Sequence, residues 1–127
     1  GCANLGKVTY NNGAGTIGFA CFAECKKLKS VAIPEGISAI DKLVLQIAKV
    51  KQINLPSTLK TIGENGFYGC TGLRTVTVKG RVTKCKIFAF YKVKKCKIIL
   101  KTKAAKKSKK VFDKRVKQEG NKKVKIK

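Results

Sequence analysis

The sequence contains no histidine, no tryptophan and no methionine, and only 6 acidic residues among its 127. The missing histidine removes the commonest general base and a common zinc ligand. The carboxylates, Glu24, Glu35, Asp41, Glu64, Asp113 and Glu119, are scattered along the chain and form no cluster suited to acid–base or metal chemistry. No hydrolase or transferase constellation is present, so no catalytic residue, metal site or cofactor is expected. Apolar runs are short, none approaching the roughly 18 to 20 residues of a membrane span. No charged segment followed by an apolar one opens the chain, so no signal peptide is visible.

What is abundant is positive charge: 30 Lys plus Arg give a net +24. Such an imbalance favours polyanionic partners and opposes compaction by self-repulsion. It equally describes a solvated lysine coat. With 43% hydrophobic residues the chain can still bury the core of one ordinary domain.

Order appears as a repeat. Short apolar-x-apolar runs begin at Val8, Val31, Ile53, Val76 and Ile98, separated by 23, 22, 23 and 22 residues. Further apolar columns keep the same phase: Ala14, Ile37, Leu59 and Val82, then Ile17, Ile40, Ile62 and Cys85, then Phe22, Leu45, Phe67 and Phe90. Each run alternates as a short strand with its first and third residues inward. Pro34 and Pro56 stop the strand because proline cannot donate to a ladder. A second short strand is expected around Ile37–Ile40, Leu59–Ile62 and Val82–Cys85. A helical or 3₁₀ turn then places residues such as Phe22, Cys25 and Leu28 inward. One unit is too small to bury these residues, whereas stacked units make a continuous core, with rungs about 4.8 Å apart. Gly1-Cys2-Ala3-Asn4-Leu5-Gly6-Lys7-Val8 repeats the spacing of Gly69 to Val76, so the chain begins in mid-repeat and is expected to be the C-terminal part of a longer protein.

The unit Ile53-x-Leu55-Pro56-x-x-Leu59-x-x-Ile62-Gly63-x-x-x-Phe67-x-Gly69-Cys70-x-x-Leu73-x-x-Val76 resembles the leucine-rich repeat of the BspA type. The resemblance is clear at 53–75, good at 8–30, and worn at 31–52 and 76–97, where Lys79-Gly80 displaces the proline and Lys92 a cysteine. It implies an α/β repeat fold, a right-handed leucine-rich-repeat solenoid of stacked 22–23-residue units over residues 1–100. It also implies an extracellular or cell-surface setting, a role in adhesion or protein recognition, and no catalytic residues to carry over. Residues 101–127 follow another pattern and are expected to form a lysine-rich C-terminal helix-strand cap. Lys103 to Gln118 reads as one helix with Ala104, Ser108, Val111, Phe112 and Arg115 or Val116 on one side, ended by Gly120. Val124 and Ile126 alternate as a last strand.

The six cysteines fall in core columns of the repeat, so they are expected to be unbridged thiols packed as small hydrophobes. Cys25 and Cys70 would lie two rungs apart, about 10 Å, too far for a bridge. Cys2 and Cys25, on neighbouring rungs, are the one pair close enough to watch. No Cys-x₂-Cys pair exists for zinc.

Two outward columns are candidate binding surfaces. The strand face carries Thr9, Ser30, Gln52, Asn54, Thr75 and Thr77, a small polar strip suited to a host or bacterial surface protein. A cation ladder of Lys29, Lys51, Arg74 and Lys97 runs beside it. Cations about 5 Å apart repel by roughly 0.8 kcal/mol per pair in water. An anionic cell-wall polymer, sulfated glycan or nucleic acid along the ladder would offset that, making a polyanion-binding or anchoring module the alternative function. Sequence-specific nucleic-acid reading is not expected, since no helix-turn-helix, zinc finger or aromatic RNA platform occurs.

Overall fold

The computed structural model describes residues 15–17, 29–33, 35–40 and 50–127. In chain order the elements are β1 (Gly15–Ile17), β2 (Ser30–Ala32), β3 (Ile37–Ile40), β4 (Gln52–Asn54), β5 (Thr61–Ile62), β6 (Thr75–Val78), β7 (Lys84–Cys85), β8 (Cys96–Leu100), α1 (Lys103–Lys106), α2 (Lys109–Gln118) and β9 (Val124–Ile126). Strands alternate between two parallel sheets, ordered β1-β3-β5-β7 and β2-β4-β6-β8-β9. Each strand therefore pairs with the one a unit later, as a 22- to 23-residue repeat requires.

The register reproduces the apolar columns. Val31, Ile53, Val76 and Ile98 pair in sequence and are wholly buried, as do Ile40, Ile62 and Cys85 in the other sheet. Complete burial of such a side chain contributes about 1.5–3 kcal/mol. Between the sheets Phe67 and Phe90 stack at 5.3 Å, and Phe112 of α2 continues the row at 6.1 Å from Phe90. The aromatic column thus passes from repeat to helix without a break.

The helical or 3₁₀ turn expected after β5 takes the tighter form, a series of single turns closed by i→i+3 bonds, Gly66 N–H to Gly63, Cys70 N–H to Phe67 and Leu73 N–H to Cys70, with Phe67, Cys70 and Leu73 buried. Left-handed residues at Asn65 (φ 60°) and Gly69 (φ 72°) interrupt the right-handed winding that a helix would need. The second-sheet strands β5 and β7 are also shorter than expected, although Leu59 and Val82 are buried as foreseen. The expectations for Phe22, Cys25, Leu28, Pro34 and Leu45 fall outside the described residues.

The C-terminal helix is likewise two helices. Thr102 Oγ1 accepts from Ala105 N–H at 3.0 Å and caps α1, and the chain breaks before Ser108. The break shifts the helical phase, so Ala105 is buried while Ala104, expected inward, is exposed. The cause is Ser108, itself fully buried: its Oγ accepts from Val82 N–H at 2.8 Å and donates to the Gly80 carbonyl at 3.4 Å. Helix α2 ends in a Schellman motif, with Gly120 (φ 64°) donating to Lys117 and Asn121 donating to Val116.

The helices and the following loop supply hydrogen-bond partners to the 76–97 unit. Phe67 N–H donates to the Ala89 carbonyl one unit on; the equivalent Phe90 N–H donates to Glu119 Oε2 at 3.2 Å. Arg115 Nε donates to the Cys85 carbonyl at 2.9 Å, and Asn121 Nδ2 to the carbonyls of Phe90 at 3.2 Å and Val93 at 2.7 Å. Strand β9 then pairs in parallel with β8, with Val124 buried as expected.

Candidate binding surface and a cationic cleft

Alternation along β2, β4, β6 and β8 turns one residue set into the core and the other onto the sheet face. On that face Ser30, Gln52, Thr75 and Lys97 align in one row, and Ala32, Asn54, Thr77 and Ile99 in the next. Gln52 is exposed and Ser30, Asn54 and Thr75 are half-buried, so a small polar strip does form. Thr77 is a correction: at 7% exposure it is buried, because it lies on a central strand between Asn54 and Ile99. Thr9 lies outside the described residues.

The cation ladder is also shorter than expected. Lys29, Lys51 and Arg74 precede successive strands at one level, linked by Lys51 N–H to Lys29 and Arg74 N–H to Lys51, each 2.8 Å. Lys97 is not the fourth rung, because its partner in the register is Thr75. The ladder stands two residues before Val31, Ile53 and Val76, and two residues before Ile98 stands Cys96, which is buried, so no cation occupies the level of Arg74 in the next rung. Arg74 folds back on its own turn, Nη1 donating to the carbonyls of Thr71 at 2.9 Å and Leu73 at 3.0 Å.

The densest charge lies in an open cleft of about 1020 Å³ between the turn entering β8 and the turn entering β9. Seven lysines and one arginine line it, with Thr71, Val93 and Cys96, and no carboxylate does. Lys97 and Lys125 are paired residues of adjacent parallel strands, both exposed. Like charges side by side at a strand spacing of about 4.8 Å repel by roughly 0.9 kcal/mol in water. Of the cations lining the cleft, only Arg74 and Lys97 were legible in the sequence as candidate site residues. The signal available was the run Lys122-Lys123-x-Lys125, but only the β8–β9 pairing sets it against residues 92–97.

Beside the cleft is an exposed aromatic group. Ile87, Phe88 and Tyr91 are 48%, 44% and 38% exposed, large values for such side chains. Phe88 and Tyr91 rings lie 5.3 Å apart, Tyr91 and Tyr68 5.6 Å, and the Lys92 ammonium sits 5.8 Å over the Tyr68 ring. Phe88 (φ 60°) and Lys92 (φ 62°) both hold a left-handed backbone that bulky residues seldom adopt.

The described cysteines offer no reactive centre. Cys70, Cys85 and Cys96 are buried and in no disulfide, and burial pushes their thiols up to about 12. Cys2, Cys21 and Cys25 lie outside the described residues. Burial also raises the Glu119 carboxyl above the usual carboxylate range, against the pull of the Phe90 N–H and of Arg115. Hydrogen bonds from Ser57 N–H at 3.0 Å and Ser57 Oγ at 2.7 Å lower the exposed Glu35. Among the described residues no group of three His, Cys, Asp or Glu could hold a metal ion, and no helix is long and apolar enough to cross a membrane.

Stacked units of short parallel strands, with a core shared between units and outward faces spread over several of them, define a repeat protein. The family profile of the BspA type leucine-rich repeat region matches residues 1–118 in six copies, and the chain belongs to that family. The match extends past Leu100 into α2. Among curated proteins and solved structures nothing matches the chain. Leucine-rich repeats of this kind are in general protein-interaction modules rather than enzymes, and proteins of the BspA type are typically found at the cell surface.

Proposed function

We propose that the chain is a non-enzymatic interaction module acting outside the cell, in adhesion or protein recognition, and that it binds its partner through the β2-β4-β6-β8-β9 face. The observation that carries this reading is the in-register row Ser30, Gln52 and Thr75 beside Asn54, a polar strip continuous over three units. Small side chains let a partner approach the strands closely, and an extended face spreads contact over several repeats. In this reading the units form a right-handed solenoid, and residues 101–127 cap its end, as their hydrogen bonds to the 76–97 unit favour.

A photo-crosslinking residue at Gln52 and another at Lys110, each in the full chain, test the reading against host matrix and bacterial envelope proteins. A partner captured at Gln52 and not at Lys110 is expected. Capture at Lys110 alone, or resistance of the protein to surface proteolysis of intact cells, overturns it. Replacing Gln52, Asn54 and Thr75 together by Arg should weaken the captured complex about tenfold or more by blocking close approach.

A further inference from the structure

The cleft between β8 and β9 is a second surface, distinct in chemistry from the polar strip. Lys94, Lys95 and Lys97 come from the segment entering β8, and Lys122, Lys123 and Lys125 from the segment entering β9. Two further cations stand at its margin. The Arg74 guanidinium donates to two carbonyls of its own turn, and the Lys92 ammonium lies 5.8 Å over the Tyr68 ring. Among the described carboxylates, Asp113 is engaged with Lys109 at 2.7 Å, Glu119 with Phe90 N–H and Glu35 with Ser57, and none of them, Glu64 included, lines the cleft. A concave surface lined by one sign of charge focuses the field and concentrates counter-ions.

The size and chemistry of the cleft select among anions. A lone phosphate would meet only a few of the cations, whereas a volume of about 1020 Å³ accepts several linked groups at once. No aromatic ring lines the cleft itself; the exposed Phe88 and Tyr91 stand beside it. Nucleobases held within the cleft would find no ring on which to stack, which weakens the term that single-strand binding usually adds to phosphate contact. Lysine ammoniums on flexible stems act as point charges and suit a flexible chain better than a planar one. We propose that this cleft binds a linear, flexible polyanion carrying sulfate or phosphate groups, a sulfated glycan or a polyol phosphate polymer. The cleft shares only Arg74 with the Lys29, Lys51 and Arg74 ladder, and none of Ser30, Gln52, Asn54 and Thr75 lines it.

Lys94, Lys95, Lys122 and Lys123 replaced together by Gln test the proposal against a control of equal charge loss, Lys103, Lys106, Lys110 and Lys114 replaced by Gln. All eight side chains are exposed, and thermal unfolding of both variants checks that they fold. Binding is measured by calorimetry for a heparin hexasaccharide, a glycerol-phosphate oligomer and a single-stranded DNA oligomer, over a range of salt. Expected are tighter binding of one or both of the first two than of DNA, and a loss of roughly tenfold to a hundredfold in the cleft variant. The slope of log affinity against log salt should fall by about 0.7 for each lost contact, and the control should change little. Preference between the two polymers identifies the source of the anion. Equal losses in both variants would show net charge alone at work and overturn the site, as would tighter binding of DNA or no binding to either polymer.

Discussion

The units at 53–75 and 76–97 share a backbone plan and differ in how well their residues suit it. At the left-handed positions the first has Asn65 and Gly69, which tolerate that backbone, while the second has Phe88 and Lys92, which do not; Lys92 thus replaces a glycine and not the expected cysteine, whose place the buried Val93 takes. After the first-sheet strand the first unit turns at Pro56 and Ser57, while the second has Lys79 and Gly80. The first is bonded on both sides by other repeats, whereas the second faces Ser108, Arg115, Glu119 and Asn121. A worn repeat is thus not a failed one. Its unfavourable residues carry the exposed Phe88, Tyr91 and Lys92 side chains and border the cationic cleft, and the packing of α2 and β9 against it offsets the local strain.

Five substitutions probe this contrast, at three sizes of expected effect. The largest effect is expected from Gly80→Ala, since a Cβ there would lie 2.0 Å from the Ser57 carbonyl oxygen and 2.7 Å from its carbon. Backbone cannot yield as a flexible side chain can, so a loss of about 3 kcal/mol is expected by urea denaturation. At the matching place in the better unit, Ser57→Gly should cost much less, and equal costs would mean that the two turns are equivalent after all.

Next is Phe88→Asn, which gives the worn unit the residue of the other. Relief of the left-handed strain should stabilise the chain by about 1 kcal/mol, while Asn65→Phe should lose a similar amount. Thermal melting of both variants decides it. Destabilisation by Phe88→Asn would mean that the ring contact with Tyr91 at 5.3 Å outweighs the strain.

The smallest effect concerns Glu119, which stands where a next repeat's carbonyl would accept. Its carboxyl is raised in the folded state by burial, so the fold holds a proton there that the unfolded chain has already released. Stability from this group is therefore greatest at acid pH and falls as pH rises from the ordinary carboxylate value of 4.5 through the raised one. Glu119→Gln retains an acceptor for Phe90 N–H and removes the titration. The variant should be at least as stable as the parent at pH 7, by under about 1 kcal/mol, with the advantage vanishing in acid. A difference that does not change between pH 4 and pH 7 would deny the shift.

Much of the architecture was legible in order along the chain. Columns such as Val31, Ile53, Val76 and Ile98 could be read because one residue type recurs wherever one side must be buried, and the register pairs them as their spacing requires. The candidate site was legible only in part. Lys97 was misplaced by one level, because it precedes Ile98 by one residue where Lys29, Lys51 and Arg74 precede Val31, Ile53 and Val76 by two, and the register pairs it with Thr75. Thr77 read as outward by alternation, but neighbours on both flanking strands cover it.

Repetition, the inward and outward sense of most strand residues, and the family are matters that the sequence determined by itself, since periodic burial imposes a periodic pattern of hydrophobes. Tertiary structure alone decided which lysines share a space. Residues 92–97 and 122–125 are distant in sequence and carry no mark of each other. They meet because Ser108 breaks the helix to satisfy Val82, Gly120 turns the chain back, and β9 takes the open edge of β8. Those contacts set the charges side by side whatever their mutual repulsion, because burial of the core and closure of the backbone bonds outweigh it.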